Sequence, residues 1–225
     1  MSTFVTFEGI DGAGKTTVSR LVAEALSERG LPHLLVDRRN PTFADPYVAE
    51  SARRLSGVLW PDRIDDPQYL LGDGYFVLLT GAWLRLIDEQ LVRPALAAGK
   101  VVIVDGWDFK PIARNALRPH IRDAFVAECF ADLTRPHVVC LATVAPTLAE
   151  KRKGPLSNAE SGRNDGYAAG DGFVDYQARV AEVLERAVVG EGARLVRLDG
   201  VSPPDESALQ VLRALGVEAP APQPA

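Results

Sequence analysis

The sequence has few cysteines, no long apolar run and no excess of positive charge. Its two cysteines, Cys129 and Cys140, lie in apolar surroundings without the spacing of a metal site, so we expect core thiols in a reducing compartment. No uncharged apolar stretch is long enough for a membrane span, and the N-terminus resembles a strand rather than a secretory signal. The net charge of −5 argues against bulk nucleic-acid binding. These absences predict a cytoplasmic protein without membrane or nucleic-acid partners.

The composition is that of an ordinary globular domain. The chain has 225 residues, of which 47% are hydrophobic and 24% charged, and this length is within reach of one α/β domain. We predict a single domain over residues 1–216. Residues 217–225 contain Ala-Pro repeats that cannot bury a core, so we predict a disordered tail there.

The strongest motif lies at the start of the chain. Residues 3–8 are apolar and rich in β-branched and aromatic side chains, as in a buried strand. Residues 9–16 then read GIDGAGKT, which fits the phosphate-binding pattern G-x-x-x-x-G-K-[ST], and an amphipathic helical pattern follows. Glycines let backbone N–H groups turn around a phosphate, and the helix directs its positive end at it. The motif assigns nucleotide binding to Gly9, Asp11, Gly12, Ala13, Gly14, Lys15, Thr16 and Thr17.

Four side chains near this loop are candidates for the chemistry. Lys15 is expected to contact the β- and γ-phosphates of ATP, and the Thr16 hydroxyl to ligate Mg²⁺. Asp105 directly follows the apolar strand 101–104, so its carboxylate is expected beside the loop, as a Mg²⁺ ligand or as the base for an attacking hydroxyl. The alternative for Asp105 is a helix cap. Asp11 is expected to face the acceptor and bind its hydroxyl, the alternative being a surface aspartate in a turn.

Strand and helix patterns alternate along the chain. This alternation predicts an α/β fold, a three-layer parallel sheet with helices on both faces. The predicted strands are 3–8, 33–37, 101–104, 137–143 and 194–198. The predicted helices after the first are 44–57, 69–98, 121–133, 146–153, 173–189 and 205–215.

A polar, glycine-rich segment over about 151–172 is too long for an ordinary loop, so we predict a lid. Arg152, Lys153 and Arg163 bracket it. In a closed lid these cations would neutralise the charge of the transferring phosphoryl group, which makes them predicted catalytic residues. The alternative is a solvated basic turn.

The sequence resembles the thymidylate kinase family over about residues 3–215. The residues that carry the resemblance are FVTFEGIDGAGKTT at 4–17 and RPALAAGKVVIVD at 93–105, supported by LDGVSPPDE at 198–206. The resemblance implies phosphoryl transfer from ATP to an acceptor phosphate, a lid and commonly a homodimer. It also matches Asp11 to the family's loop carboxylate, which contacts a sugar 3′-hydroxyl.

The departures from the family pattern lie on the acceptor side. The usual Arg-Glu-Pro is Arg39-Asn40-Pro41 here, so one arginine is kept. Thr80 replaces a base-stacking phenylalanine, Leu84 replaces a phosphate-binding arginine, and Gly106 replaces a second one. The residues that normally read thymine are not recognisable after Asp108.

Losing two charge-assisted contacts, each worth roughly 1.5–3 kcal/mol, is hard to reconcile with an unchanged acceptor. Lys110, Arg114 or Arg118 are candidates to replace the charges. Trp107 and Trp83 are candidates for a new stacking face, or else core residues. The predicted acceptor residues are Asp11, Arg39, Trp107, Lys110 and Arg114.

Three functions stay open at this point. The first is a thymidylate-kinase-like phosphotransferase that uses ATP and Mg²⁺ on a nucleoside monophosphate or a similar acceptor. The second is an ATP-dependent kinase whose small-molecule acceptor is not a nucleotide and offers a hydroxyl, carboxylate or phosphonate. The third is a nucleotide-binding module without catalysis, against which the presence of Lys15, Thr16 and Asp105 argues.

Overall fold

A computed structural model describes residues 2–61, 68–162 and 172–217. Five parallel strands form one sheet in the order β2-β3-β1-β4-β5, with helices between them in sequence. This confirms the predicted α/β fold. The strands are β1 (Thr3–Glu8), β2 (His33–Val36), β3 (Val101–Val104), β4 (Val138–Thr143) and β5 (Arg194–Asp199).

The α-helices that alternate with these strands are α1 (Lys15–Glu28), α2 (Pro46–Leu59), α3 (Asp73–Ile87), α4 (Arg93–Ala97), α5 (Phe109–Asn115), α6 (Asp123–Phe130), α7 (Pro146–Arg152), α8 (Gly172–Val189) and α9 (Pro204–Ala214). A 3₁₀ turn (Gln68–Leu71) precedes α3, and a π-helical turn (Asp88–Val92) joins α3 to α4.

The central strands are buried on both faces, which explains why their sequences are continuously apolar. Val5 of β1 packs with Ile103 of β3 in a core that includes α1 and α9. The alternate residues, Phe4 and Val102, pack on the opposite face against α3 and α6. Side chains alternate across a strand, so the sheet separates two helix layers.

Two helix predictions were wrong in their extent. The predicted helix 69–98 begins later, at Asp73, and then runs without a gap to Ala97 through α3, the π-helical turn and α4. The predicted helix 121–133 is reduced to α6, and the prediction missed α5. The α5 segment is short and carries few apolar residues, of which Phe109 and Ala113 face the core. Seven residues give too few turns for a helical period to be recognised.

Parts of the predicted lid and tail lie outside the described residues, namely 163–171 and 218–225. The predicted catalytic residue Arg163 is among them. In the described ranges, no helix combines the length and apolarity that a membrane crossing requires.

The two cysteines are free thiols. Cys140 is fully buried in β4, and this burial raises the pKa of its thiol. Cys129 on α6 is partly buried, and burial raises its pKa as well. Cys140 is therefore a core thiol, as predicted from its apolar surroundings.

Candidate active site

The glycine loop and Asp105 meet at the carboxyl edge of the sheet. Strands β1 and β3 are parallel neighbours, and Thr6 pairs with Val104. The segments that follow the two strands therefore leave the sheet side by side. There the Thr16 hydroxyl donates a hydrogen bond to a carboxylate oxygen of Asp105.

The loop packs tightly against the backbone of α7. Gly12 has a φ of +85°, and a Cβ built on it would lie 2.6 Å from the carbonyl oxygen of Ala149. Gly14 caps α1 with a φ of +86° and leaves the helix without a side-chain cap. The first-turn N–H groups of α1 have no intrahelical partners, so they suit an anion.

Lys15 is folded back into this loop. Its Nζ donates to the carbonyl oxygens of Gly9 at 3.0 Å and Ile10 at 2.8 Å. The ammonium group therefore lies within the same turn that contributes the free N–H groups. A positive charge and several amide donors are concentrated where the motif predicts phosphate binding.

The residues beside the loop fit Mg²⁺ by their chemistry. The Thr16 hydroxyl and the Asp105 carboxylate are hard oxygen ligands, and they are close enough to share a hydrogen bond. Within residues 2–61, 68–162 and 172–217, no group of three or more His, Cys, Asp or Glu forms a metal site. Mg²⁺ in phosphoryl-transfer sites does not need one, because it keeps waters and binds substrate phosphates through one or two carboxylates.

Three predicted acceptor residues meet, but they bind one another. Lys110 Nζ lies 2.5 Å from Asp11 Oδ1, and Arg114 Nη2 lies 3.2 Å from Asp11 Oδ2. Gln177 of α8, which the sequence did not single out, donates to Asp11 Oδ2 at 3.3 Å and accepts from the Asp11 N–H at 3.3 Å. Asp11 is therefore not a surface aspartate in a turn, and both of its carboxylate oxygens already accept hydrogen bonds from the chain itself.

The charges of this cluster keep Asp11 ionised. Burial by itself raises the pKa of the carboxyl group. The adjacent charges of Lys110 and Arg114 outweigh that effect and hold the pKa of Asp11 well below its usual range. The cluster is a buried ion pair with a second cation beside it.

The two described cations of the predicted lid are bound to groups of the chain itself. Arg152 Nη1 donates to the Gly200 carbonyl at 2.6 Å, and Lys153 forms an ion pair with Glu160. Arg114 Nη2 also donates to the carbonyl oxygen of Ala159 at 3.0 Å. The described part of the predicted lid segment therefore contacts the Asp11 cluster.

The structure corrects the expectation that Trp107 lines the acceptor site. Trp107 and Trp83 are both core residues, with at most 1% of their surface exposed. Their indole N–H groups donate to the carbonyl oxygens of Thr134 at 3.1 Å and Arg38 at 2.8 Å. Neither ring presents a face to a ligand.

The two remaining arginine candidates differ in their surroundings. Arg39 is exposed after β2, and its backbone N–H donates to Asp37. Arg118 forms an ion pair of 3.1 Å with Asp73 at the start of α3, away from the Asp11 cluster. Arg39 therefore remains available to a ligand.

Glu8 is a functional candidate that the sequence analysis did not single out. It ends β1 directly before the loop and is fully buried. Its Oε1 accepts the N–H of Trp107 at 2.6 Å and the Thr6 hydroxyl at 3.2 Å. Burial raises the pKa of Glu8 to about 7, despite the Trp107 N–H and the nearby Arg38. In the sequence, Glu8 could have been noticed as the one charged residue of a predicted buried strand.

Glu8 should make the protein less stable as the pH rises. The folded protein holds a proton on Glu8 up to about pH 7, whereas the unfolded chain loses it near pH 4.5, so the free energy of unfolding falls between these values. Glu8→Gln keeps an acceptor for Trp107 without the charge. We expect the free energy of unfolding of the variant, minus that of wild type, to be up to about 3 kcal/mol larger at pH 8 than at pH 5. Urea unfolding at the two pH values measures this difference.

The matched control is Glu24→Gln, at an exposed glutamate on α1. Its stability difference from wild type should change little over the same pH range. A difference for Glu8→Gln that does not vary with pH would contradict the prediction.

Comparison with known proteins gives a consistent result. Residues 7–165 match the sequence pattern of the thymidylate kinase family. The thymidylate kinase of Geotalea uraniireducens (strain Rf4) is 28% identical over 168 residues, 73% of this chain and 74% of that protein. That of Fervidobacterium nodosum is 25% identical over 198 residues, 86% and 92% of the two chains. That of Wolbachia pipientis wMel is 38% identical over 111 residues, spanning 49% of this chain and half the length of that relative.

The family match covers more than half of the chain and includes the glycine loop, Asp105 and α5. It confirms the prediction of an ATP-dependent kinase that resembles dTMP kinases. Fold, loop and sequence similarity agree, and the chain belongs to the thymidylate kinase family.

Proposed function

We propose that the protein transfers the γ-phosphoryl group of ATP to the phosphate of a nucleoside monophosphate, with Mg²⁺ as the metal ion. The observation that carries the proposal is the contact of Thr16, in the phosphate-binding loop, with Asp105 at the end of the neighbouring strand. This pair brings oxygen ligands for a metal ion to the same edge as the amide-rich turn around Lys15.

The proposed reaction is a direct displacement. An oxygen of the acceptor phosphate forms a bond to the γ-phosphorus, and the bond from that phosphorus to the β–γ bridging oxygen breaks. The electron pair leaves with ADP, and the acceptor becomes a diphosphate. The Lys15 ammonium and the amides of α1 stabilise the negative charge of the phosphates. Bound Mg²⁺ supplies further neutralisation of that charge.

The base of ATP has a candidate site beside the loop. A cavity of about 340 Å³ is lined by Gly9 and Ile10, by residues 143–145 at the end of β4 and just after it, and by Asp199 and Val201 around the end of β5. It lies at the carboxyl edge of the sheet, where open parallel sheets bind ligands. We propose this cavity for the adenine ring.

In the second candidate function, ATP is still the phosphoryl donor, but the acceptor is a small molecule that is not a nucleotide. It is favoured by the engagement of both Asp11 oxygens, because a sugar hydroxyl would have to share them with Lys110 and Arg114. The replacement of two family arginines by Leu84 and Gly106 supports the same alternative.

ADP release from ATP-Mg²⁺ with a panel of nucleoside monophosphates separates the two candidates. Turnover with at least one monophosphate is expected. If ATP binds but no monophosphate is phosphorylated, the acceptor is of another class and the alternative takes precedence. Absence of ATP binding in calorimetry, with and without Mg²⁺, would overturn both.

A homodimer is part of the proposal, on the basis of the family resemblance. The surface around the start of α3 carries exposed apolar side chains, with Leu70 72%, Tyr75 43% and Leu78 56% exposed. We expect sedimentation to give twice the chain mass and Leu78→Glu to give the monomer. A monomeric wild-type protein at micromolar concentration would contradict the dimer.

A cytoplasmic location stays a prediction from the sequence.

A further inference from the structure

The guanidinium group of Arg38 lies directly over Gly106. A Cβ built on Gly106 would be 3.5 Å from both Cζ and Nε of Arg38. Arg38 follows β2, and Gly106 follows Asp105 at the end of the neighbouring strand β3. The charged end of Arg38 therefore occupies the space into which a side chain at position 106 would extend.

Two tryptophans hold Arg38 in this position. Trp83 of α3 donates its indole N–H to the Arg38 carbonyl oxygen at 2.8 Å. Trp83 also packs edge-to-face on Trp60, with ring centroids 5.4 Å apart. The Arg38 guanidinium lies 6.0 Å from the centroid of the Trp60 ring, within the range of a cation–π contact. Both the backbone and the side chain of Arg38 are thus fixed by aromatic residues.

Among the residues that the structure describes, few groups accept hydrogen bonds from the guanidinium group of Arg38. It has five N–H donors, and Nη1 makes a long contact of 3.4 Å with the Trp107 carbonyl oxygen. Its Nε is buried without a hydrogen-bond partner among the described residues. Burial lowers the pKa of Arg38, while the nearby charges of Glu8 and Asp105 raise it. Arg38 as a whole is half-buried, but its buried and unpaired Nε donor has an energetic cost that a bound anion would remove.

We propose that Arg38 binds the anionic group of the phosphoryl acceptor and supplies, from the end of β2, the positive charge that position 106 lacks. The inference rests on the proposed function and specifies its acceptor as a phosphate monoester, because a planar guanidinium fork pairs with two phosphate oxygens. Arg38 then acts at the same edge of the sheet as Asp105 and Lys15, on the acceptor side of the reacting groups.

A purely structural role for Arg38 would be to balance the buried carboxylate of Glu8. The two roles predict different results. Loss of an acceptor contact raises the KM and Kd for the acceptor and leaves ATP binding unchanged. Loss of a structural charge alters stability and affects both substrates together.

The test compares Arg38→Met with wild type and with Arg54→Met, which removes an exposed arginine of α2 that pairs with Glu50. The probe is dTMP, titrated calorimetrically in the presence of ADP and Mg²⁺ and used as acceptor in the ADP-release assay. We expect Arg38→Met to raise the Kd and KM for dTMP by about 10- to 100-fold, with the KM for ATP changed by less than about twofold. Arg54→Met should behave as wild type.

The outcomes distinguish this inference from the proposed function. If wild type binds dTMP without phosphorylating it, and Arg38→Met weakens that binding, the inference stands while the proposed function fails for this acceptor. Equal dTMP binding by both proteins, or none by wild type, overturns the inference. A parallel loss of ATP and dTMP binding assigns Arg38 the structural role and also overturns it.

A second variant covers the case in which Arg38→Met does not fold. Arg38→Lys keeps the charge and loses the planar fork, so it is expected to fold and to raise the KM for dTMP by about fivefold. An unchanged KM for dTMP in Arg38→Lys, together with an unfolded Arg38→Met, would contradict acceptor binding.

Discussion

Lys15→Ala is expected to lower kcat by at least about a hundredfold while leaving the fold intact. The Lys15 ammonium is held in the loop by the carbonyl oxygens of Gly9 and Ile10. Alanine removes this positive charge from the turn, so the transition state loses its attraction to the phosphates. Steady-state kinetics measure the loss, and thermal unfolding verifies the fold.

The matched control is Lys100→Ala. Lys100 precedes β3 at the amino end of the sheet, away from the loop. Its removal should leave kcat within about twofold of wild type. Wild-type turnover by Lys15→Ala would disprove the assigned contact with the β- and γ-phosphates.

Asp105→Asn is expected to lower kcat by about ten- to a thousandfold and to raise the Mg²⁺ concentration that gives half-maximal activity. Asparagine keeps the shape of the side chain and can still accept the Thr16 hydrogen bond, so the local structure should persist. The substitution removes one negative charge beside the proposed Mg²⁺ site. Activity titrated against Mg²⁺, at saturating ATP, measures both effects.

Asp132→Asn serves as the control, because Asp132 is exposed and pairs with Arg85 at the surface. Its Mg²⁺ dependence should match that of wild type. If Asp105→Asn retains the wild-type Mg²⁺ dependence, Asp105 is a structural hydrogen-bond acceptor for Thr16 and not a metal ligand.

The ATP side of the site could be predicted because its residues adjoin strongly patterned elements. The loop follows an apolar strand and precedes an amphipathic helix, and Asp105 follows four buried β-branched residues. In a parallel sheet, residues that directly follow neighbouring strands meet at one edge. The contact between Thr16 and Asp105 is therefore a consequence of sequence position and topology.

The acceptor side could not be predicted, because its contacts depend on packing between distant segments. Lys110 meets Asp11 only because the short helix α5 forms, and no periodic pattern indicated that helix. Trp107 was predicted to line the acceptor site because aromatic side chains occur both in cores and in binding sites. The position of Arg38 depends on Trp83 and on the absence of a side chain at Gly106.

Gln177 connects two segments of the candidate site. Its side-chain oxygen accepts from the Asp11 backbone, and its nitrogen donates to the Glu160 carbonyl oxygen at 2.8 Å. One amide on α8 thus connects the turn that receives ATP to the segment after α7. A molecule that displaces Gln177 from Asp11 would break this connection. Displacement of Gln177 would therefore change the free energy of releasing that segment, and substitutions at Gln177 are expected to affect both processes together.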